Sequence, residues 1–267
     1  MGGMKKRFTY AIIGDPVKHS RSPEIYAPLF LRHSIDADFL RIRVTKDELA
    51  NIREIVKSYS LNGFAVTMPH KKTIIRYLDG ICDEVKASGS VNIVTVEQSS
   101  NGIEGKLIGH NTDGEGLINA LKEAKIDVSD KDIVILGNGG AACGAKEAIF
   151  RHGGRVKIIS RSEGHSLDAA IVSNMYYIEH CDILINATPL GMLGSPEFDS
   201  LGFLQRMKHG AAAVDMVYAG ACDFADGSPT RFVHEAKMLG LISFGGDRML
   251  YHQGLIAFRL WTGFDAL

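Results

Sequence analysis

The chain reads as an α/β protein in two lobes, and three observations carry that reading. Short apolar runs alternate with helical stretches along most of the sequence. Near the middle the rhythm changes: from residue 132 onward a strand, a glycine-rich turn, a helix and a second strand follow within about 30 residues, the pattern of a βαβ unit. With 267 residues, 45% of them hydrophobic, there is material for one large α/β domain or two smaller ones, each with a core of its own.

Taken in order, Ile12-Ile13 after Thr9-Tyr10-Ala11 reads as a first strand, stopped by Gly14-Asp15-Pro16. Ser22-Pro23-Glu24 has the pattern of a helix start: a hydroxyl at the N-cap, proline at the first helical position and an acid in the first turn. Residues 38–44 read as strand, 46–58 as helix and 63–67 as strand. Pro69 is expected to open another helix with Lys71 and Lys72 in its first turn, where cations oppose the helix dipole. A base kept at such a point hints at function, although Lys72 reads as merely solvated. Residues 90–97 form a further expected strand, with a turn at 98–102. In the second half, apolar runs at 132–136 and 155–159 flank an expected helix at 141–151. Later runs at 182–187 and 211–217 extend a parallel sheet, and a last helix is expected over 247–261. No internal repeat and no low-complexity segment interrupts this order.

Composition removes several function classes. Lys and Arg number 30 against 31 Asp and Glu, a net charge of −1, which leaves no overall electrostatic footprint for nucleic acid or an anionic membrane. No run approaches the length of a membrane span. Cys82, Cys143, Cys181 and Cys222 lie 61, 38 and 41 residues apart without a CxxC pair, as free thiols of a reducing compartment do. The ten histidines offer no metal-ligand spacing, so no metal is expected. Met1-Gly2-Gly3-Met4 is compatible with an appended start before a native Met4, and no apolar run follows to make a signal peptide. The expectation is a cytoplasmic protein.

Glycine stands out at 29 of 267 residues, about 11% where about 7% is usual, and it comes in clusters. Gly137-Asn138-Gly139-Gly140-Ala141-Ala142 fits G-x-G-x-x-[G/A] between the run at 132–136 and the expected helix. Glycines there let the backbone approach a pyrophosphate whose charge sits over the helix N-terminus. The plainer alternative is a glycine turn that only packs helix on strand. The next strand ends at Ser160-Arg161-Ser162. An acid in that place would suit NAD, whereas Arg161 suits the 2′-phosphate of NADP; Glu163 close by keeps NAD open.

In the first half, Ile13-Gly14-Asp15-Pro16-Val17-Lys18-His19-Ser20-Arg21-Ser22-Pro23 puts two hydroxyls one residue apart, able to donate together to a carboxylate. A plain N-cap is the alternative for Ser22. This segment resembles the N-terminal signature of the shikimate dehydrogenase family. The resemblance continues, in family order, through Val66-Thr67-Met68-Pro69-His70-Lys71, Ser90-Val91-Asn92, Asn111-Thr112-Asp113-Gly114, the glycine loop, Asn186-Ala187-Thr188-Pro189-Leu190-Gly191-Met192 and Met249-Leu250-Tyr251-His252-Gln253.

The resemblance implies an N-terminal α/β substrate domain, residues 1–112 and 246–267, and a Rossmann-like NADP-binding domain, residues 113–245. It implies NADP-dependent, reversible reduction of 3-dehydroshikimate to shikimate by a monomer or homodimer, with no nucleic-acid or membrane partner expected. Ser20 and Ser22 would hold the substrate carboxylate; Thr67, Asn92, Asp113 and Gln253 would meet the ring hydroxyls, and Tyr218 matches a substrate-side tyrosine. Lys71 and Asp113 would be the proton-transfer pair. Gly137, Asn138, Gly139, Gly140, Ala141, Ser160, Arg161, Thr188 and Gly246 would bind the cofactor. His70, next to Lys71, reads as a surface histidine.

The chain departs from the family at several points. Ala65 stands where asparagine is usual, removing an amide near the expected pocket; Tyr26-Ala27 replaces a His-Asn pair, and Ile93 a threonine. Only 20 residues separate Arg161 from Asp182, which implies a shortened helix or a missing strand. Thr230 follows Tyr218 after 11 intervening residues, so an enlarged loop is expected. These changes leave quinate or aminoshikimate open as the alcohol. A reading of another class, a non-catalytic sensor of ligand or nucleotide, is disfavoured because a sensor has no need of the Lys71 and Asp113 pair.

Overall fold

A computed structural model describes residues 7–97, 105–163, 166–218 and 229–266. The start at Met1, the turn at 98–102, Cys222 and the segment 219–228 of the expected enlarged loop lie outside the described residues. The chain divides into two compact units, Met1–Thr112 with Gln253–Leu267, and Asp113–His252.

The first unit runs β1 (Phe8–Gly14), α1 (Ser22–Arg32), β2 (Ala37–Arg43), α2 (Ile52–Ser58), β3 (Gly63–Val66), β4 (Gly80–Ile81), α3 (Asp83–Ser88), β5 (Ile93–Glu97) and β6 (Lys106–His110). Its mixed sheet has the order β2-β1-β3-β5-β6-β4, with β1, β2 and β3 parallel and β5 antiparallel to both neighbours. Side chains of a strand alternate between faces, and both faces of this sheet are covered. Ala11, Ile13, Ile42, Phe64 and Val66 enter one core. Tyr10, Ile12, Ala65 and Ile93 enter the other, against Tyr26 and Phe30 of α1 and Phe258 of the last helix. Gly63 is required there: a Cβ would lie 2.5 Å from the Trp261 ring, whose Nε1 donates to the Val94 carbonyl at 3.1 Å.

Two local expectations are corrected. Pro69 does not open a helix. Residues 67–72 form a turn, and a short 3₁₀ helix, Thr73–Tyr77, follows it. The turn is held from outside, for the His70 ring is fully buried rather than at the surface, with Nε2 2.6 Å from the Val44 carbonyl. The other correction concerns Ser22, which is the first residue of α1, while Arg21 occupies the N-cap position without a capping side chain.

The second unit holds α4 (Asp113–Glu123), β7 (Asp132–Leu136), α5 (Gly140–Arg151), β8 (Arg155–Ile159), α6 (Leu167–Ser173), α7 (Met175–His180), β9 (Ile183–Asn186), β10 (Ala212–Asp215), α8 (Arg231–Met238) and β11 (Ile242–Phe244). Its sheet is parallel throughout, in the order β11-β10-β9-β7-β8. Among the described residues, the segment between β8 and β9 forms short helices and no strand, as the spacing from Arg161 to Asp182 suggests. α9 (Gly246–Thr262) starts in this unit, and from Gln253 its residues belong to the first. The division thus falls seven residues beyond the return point at 246 expected from the motifs, because the helix is continuous across it.

Candidate active site

In the first unit the expected substrate residues collect at the ends of β1, β3 and β5. Thr67 follows β3, its N–H donating to the Ile13 carbonyl at 2.9 Å, and Asp15 N–H donates to the Met68 carbonyl at 3.0 Å. This close approach explains Gly14, where a Cβ would lie 2.3 Å from the Thr67 methyl and 2.9 Å from the Met68 carbonyl. Ser20 and Ser22 are brought together: Ser20 Oγ donates to Ser22 Oγ at 3.2 Å and accepts from Ser22 N–H at 3.3 Å. Ser22 is 3% exposed. Since its hydroxyl caps no helix amide, the plain N-cap reading falls.

Sequence reasoning missed a residue that supports this pair. Arg41, at the end of β2, donates from Nε to the Ser20 carbonyl at 2.8 Å and from its terminal nitrogen to Glu24 of α1 at 2.7 Å. The guanidinium therefore ties the serine loop to strand and helix at once.

Lys71 is half-buried in the turn after β3. Its carbonyl accepts from Val91 N–H at 2.8 Å, which anchors the turn to the Ser90-Val91-Asn92 segment, and His70 N–H closes the turn on the Thr67 carbonyl at 3.0 Å. Asn92 is buried, and its amide is spoken for at both ends. Nδ2 donates to Thr112 Oγ1 at 2.9 Å and to Gln253 Oε1 at 3.3 Å, while Oδ1 accepts from Thr112 N–H at 2.8 Å. Thr112 Oγ1 also donates to Gln253 Oε1 at 3.3 Å. Asn92 and Gln253, expected at the substrate, thus meet in one buried network whose centre, Thr112, went unassigned. The signal was available, since Thr112 stands directly before Asp113 in a recognised block. Asp113 itself is buried as the first residue of α4 and belongs to the second unit.

Three departures from the family pattern, Tyr26, Ala65 and Ile93, fall in a single apolar cluster. Tyr26 stacks on Phe39 at 4.6 Å between ring centres and lies against Trp261 at 5.0 Å. The lost amide at 65 therefore sits in a core that has become apolar around it, where an unpartnered amide would be costly.

In the second unit the sheet order reverses at β7, since β8 lies on one side of it and β9 on the other. Such a switch point, at the carboxyl ends of the strands, is where open parallel sheets bind nucleotides. The expected cofactor residues lie there. Gly137 takes a φ of +105°, open to glycine, and a Cβ on it would lie 3.0 Å from the Ala187 carbonyl and 3.1 Å from the Thr188 methyl. Gly137 N–H donates to the Ile159 carbonyl at 2.8 Å, joining the loop to the strand that leads into Ser160 and Arg161. Gly139, the N-cap of α5, has open space where a Cβ would point and places no side chain over the helix amides. With exposed Asn138 and half-buried Gly140 and Ala141, this loop fits a pyrophosphate. Ser160 is buried, its Oγ 2.6 Å from Ser162 Oγ, and Arg161 is exposed, in no ion pair among the described residues. Gly114 serves packing: a Cβ would lie 2.4 Å from the Gly144 carbonyl, so glycine lets α4 lie against α5. Gly246 N–H donates to the Val217 carbonyl at 3.0 Å, and Tyr218, half-buried, is the next residue along.

Comparison with known proteins agrees with this geometry. Residues 12–94 match the family model of the shikimate dehydrogenase substrate binding domain. The chain is 33% identical to the shikimate dehydrogenase (NADP(+)) of Staphylococcus epidermidis, over 96% of this chain and 93% of that one. The crystal structure of shikimate dehydrogenase from Aquifex aeolicus superimposes with a TM-score of 0.81 at 29% identity, covering 99% of this chain and 96% of the other. That of the Thermus thermophilus enzyme in complex with NADP(H) and shikimate gives 0.79 at 29% identity, over 96% and 94%. No helix among the described residues is long and apolar enough to cross a membrane. With a relative this similar over nearly its whole length, and a substrate-domain fold and dinucleotide switch point in the expected places, the chain belongs to the shikimate dehydrogenase family.

Proposed function

We propose that the chain catalyses the reversible, NADP-dependent reduction of 3-dehydroshikimate to shikimate. The observation that carries this reading is the buried Asn92–Thr112–Gln253 network, three polar side chains gathered in a unit with two apolar cores. Buried amides are costly unless they serve as partners, and a ring bearing several hydroxyls is such a partner. The Gln253 oxygen accepts from both Asn92 and Thr112, so the orientation of its amide is fixed with Nε2 as the donor end.

Ser20 and Ser22 take the substrate carboxylate as a pair of donors. When bound, NADPH supplies a hydride to the ketone carbon. The ketone oxygen then needs a proton, which Lys71 gives, and in the oxidative direction Lys71 takes it back. By resemblance to the family, Asp113 is the other member of the proton-transfer pair and accepts from a ring hydroxyl. Arg161 meets the 2′-phosphate beside Ser160, whose hydroxyl pairs with that of Ser162. Three free thiols, Cys82, Cys143 and Cys181, support a reducing, cytoplasmic location.

Loss of NADPH absorbance on adding 3-dehydroshikimate tests the reading. Folded protein that binds both ligands and turns neither over would make it a sensor instead.

A further inference from the structure

One buried acid in the second unit has no part in the reading above. Asp215, the last residue of β10, is 1% exposed. Its Oδ1 accepts from Asn186 Nδ2 at 2.9 Å and from the Val217 N–H at 2.9 Å, and its Oδ2 accepts from Thr230 Oγ1 at 2.6 Å. An ionisable group so deep in a protein is costly, and an apolar side chain of similar size would fill the same space at less cost. Its partners show what the carboxylate does there.

Two of the three partners, Asn186 and Val217, lead to residues assigned above to cofactor or substrate. Asn186 Oδ1 accepts from the Thr188 N–H at 3.0 Å and from Thr188 Oγ1 at 2.6 Å, and Thr188 Oγ1 accepts in turn from Leu190 N–H at 3.2 Å. The Val217 carbonyl accepts from Gly246 N–H, and a Cβ on Gly246 would lie 2.3 Å from the Met216 carbonyl, so Gly246 follows the 216–217 backbone closely. Tyr218 is joined directly to Val217. Thr230 stands at the far end of the segment 219–228, and its Oγ1 caps α8 by accepting from Val233 N–H at 3.4 Å.

We propose that Asp215 is a positioning residue for the nucleotide and substrate contacts of this unit, its two oxygens holding in fixed relation the segments that carry Thr188 and Tyr218 and the start of α8, with Gly246 joined to them through the Val217 carbonyl. The proposal rests on the roles given to those residues under the proposed function. A carboxylate suits the task because each oxygen can accept more than one donor. The same clasp joins Asp215, before Tyr218, to Thr230.

Asparagine at 215 would keep the Oδ1 bonds to Asn186 and Val217 and present an N–H₂ to Thr230 Oγ1; leucine would keep the volume and none of the bonds. Three variants, Asp215→Leu, Asp215→Asn and Thr230→Val, separate positioning from mere structure when NADP and shikimate KM, kcat and Tm are measured on each. Asp215→Leu is expected to raise the KM for NADP at least tenfold and that for shikimate at least threefold, with Asp215→Asn restoring both to within about threefold of the parent. A folded Asp215→Leu protein with parental KM values would overturn the proposal. Should leucine prevent folding, Thr230→Val decides. A threefold or larger rise in shikimate KM, with NADP KM within twofold and Tm unchanged, supports the clasp, and unchanged KM for both ligands contradicts it. Parental turnover of 3-dehydroshikimate reports on the proposed function separately, and calorimetric NADP binding keeps the comparison readable without turnover.

Discussion

Lys71 owes its place to backbone contacts, the Val91 N–H on its carbonyl and the buried His70 ring beside it, so its side chain can be replaced without loss of the turn. Lys71→Met is expected to lower kcat by roughly 10²–10⁴-fold with KM little changed, as for a positioned acid–base group; near-parental kcat in steady-state assays would remove Lys71 from that role. Arg161 lies exposed and outside any ion pair among the described residues, so Arg161→Ala should raise the KM for NADP about tenfold, the equivalent of about 1.4 kcal/mol, and that for NAD less than twofold. Equal effects would mean that the arginine only supports its loop. Residues of this kind were legible because their signals are local: a glycine pattern after an apolar run, a basic residue at a strand end. Thr112 had a local signal only in its place beside Asp113, and Asp215 had none. Their roles depend on side-chain partners elsewhere in the chain, Gln253 141 residues from Thr112 and Asn186 29 residues from Asp215. The N-cap reading of Ser22 failed for another reason, since the cap and the first residue of a helix look alike until the cap geometry is seen.

At the scale of elements, β7, α5 and β8 lie within a residue of where the sequence puts them, because a buried parallel strand is a short apolar run and a glycine loop ends it sharply. The segment after Pro69 shows the opposite case. Its helical pattern is overridden by His70, whose ring is drawn inward to the Val44 carbonyl, leaving a turn that carries Lys71 and only then a 3₁₀ helix. β4 has two residues and gives no periodicity to read. Close packing supplies a direct test. Gly114→Ala would push a methyl to 2.4 Å from the Gly144 carbonyl, and overpacking of this kind costs about 1–3 kcal/mol, to be read from urea unfolding. Ala65→Asn should cost about as much by placing an unpartnered amide in the cluster of Tyr26 and Ile93. A neutral result there would mean that the apolar departures at 26, 65 and 93 are independent of one another.

For the molecule as a whole, two units with cores of their own carry a nearly even charge balance, and the proposed function asks for few placed cations, Lys71 and Arg161, while Arg41 ties the serine loop to strand and helix. Asp215 also makes stability depend on pH. Burial pushes its carboxyl up to about 6, with Glu197 contributing, against the opposing pull of its three donors. A carboxyl raised above its unfolded value of about 4 favours the native state most at acid pH. Its contribution is full below about pH 4 and is lost as pH rises through 6, and a shift of about two units corresponds to about 3 kcal/mol. The stability of the parent relative to Asp215→Asn should therefore fall by about that amount between pH 4 and pH 7 in denaturant titrations; a pH-independent difference would mean the carboxyl titrates as it does in the unfolded chain. The most direct test of the account is a comparison of kcat/KM for shikimate and quinate, each with NADP and with NAD. Shikimate with NADP is expected to exceed every other combination, by tenfold or more over shikimate with NAD, and quinate turnover above shikimate turnover, or NAD preferred to NADP, would contradict it.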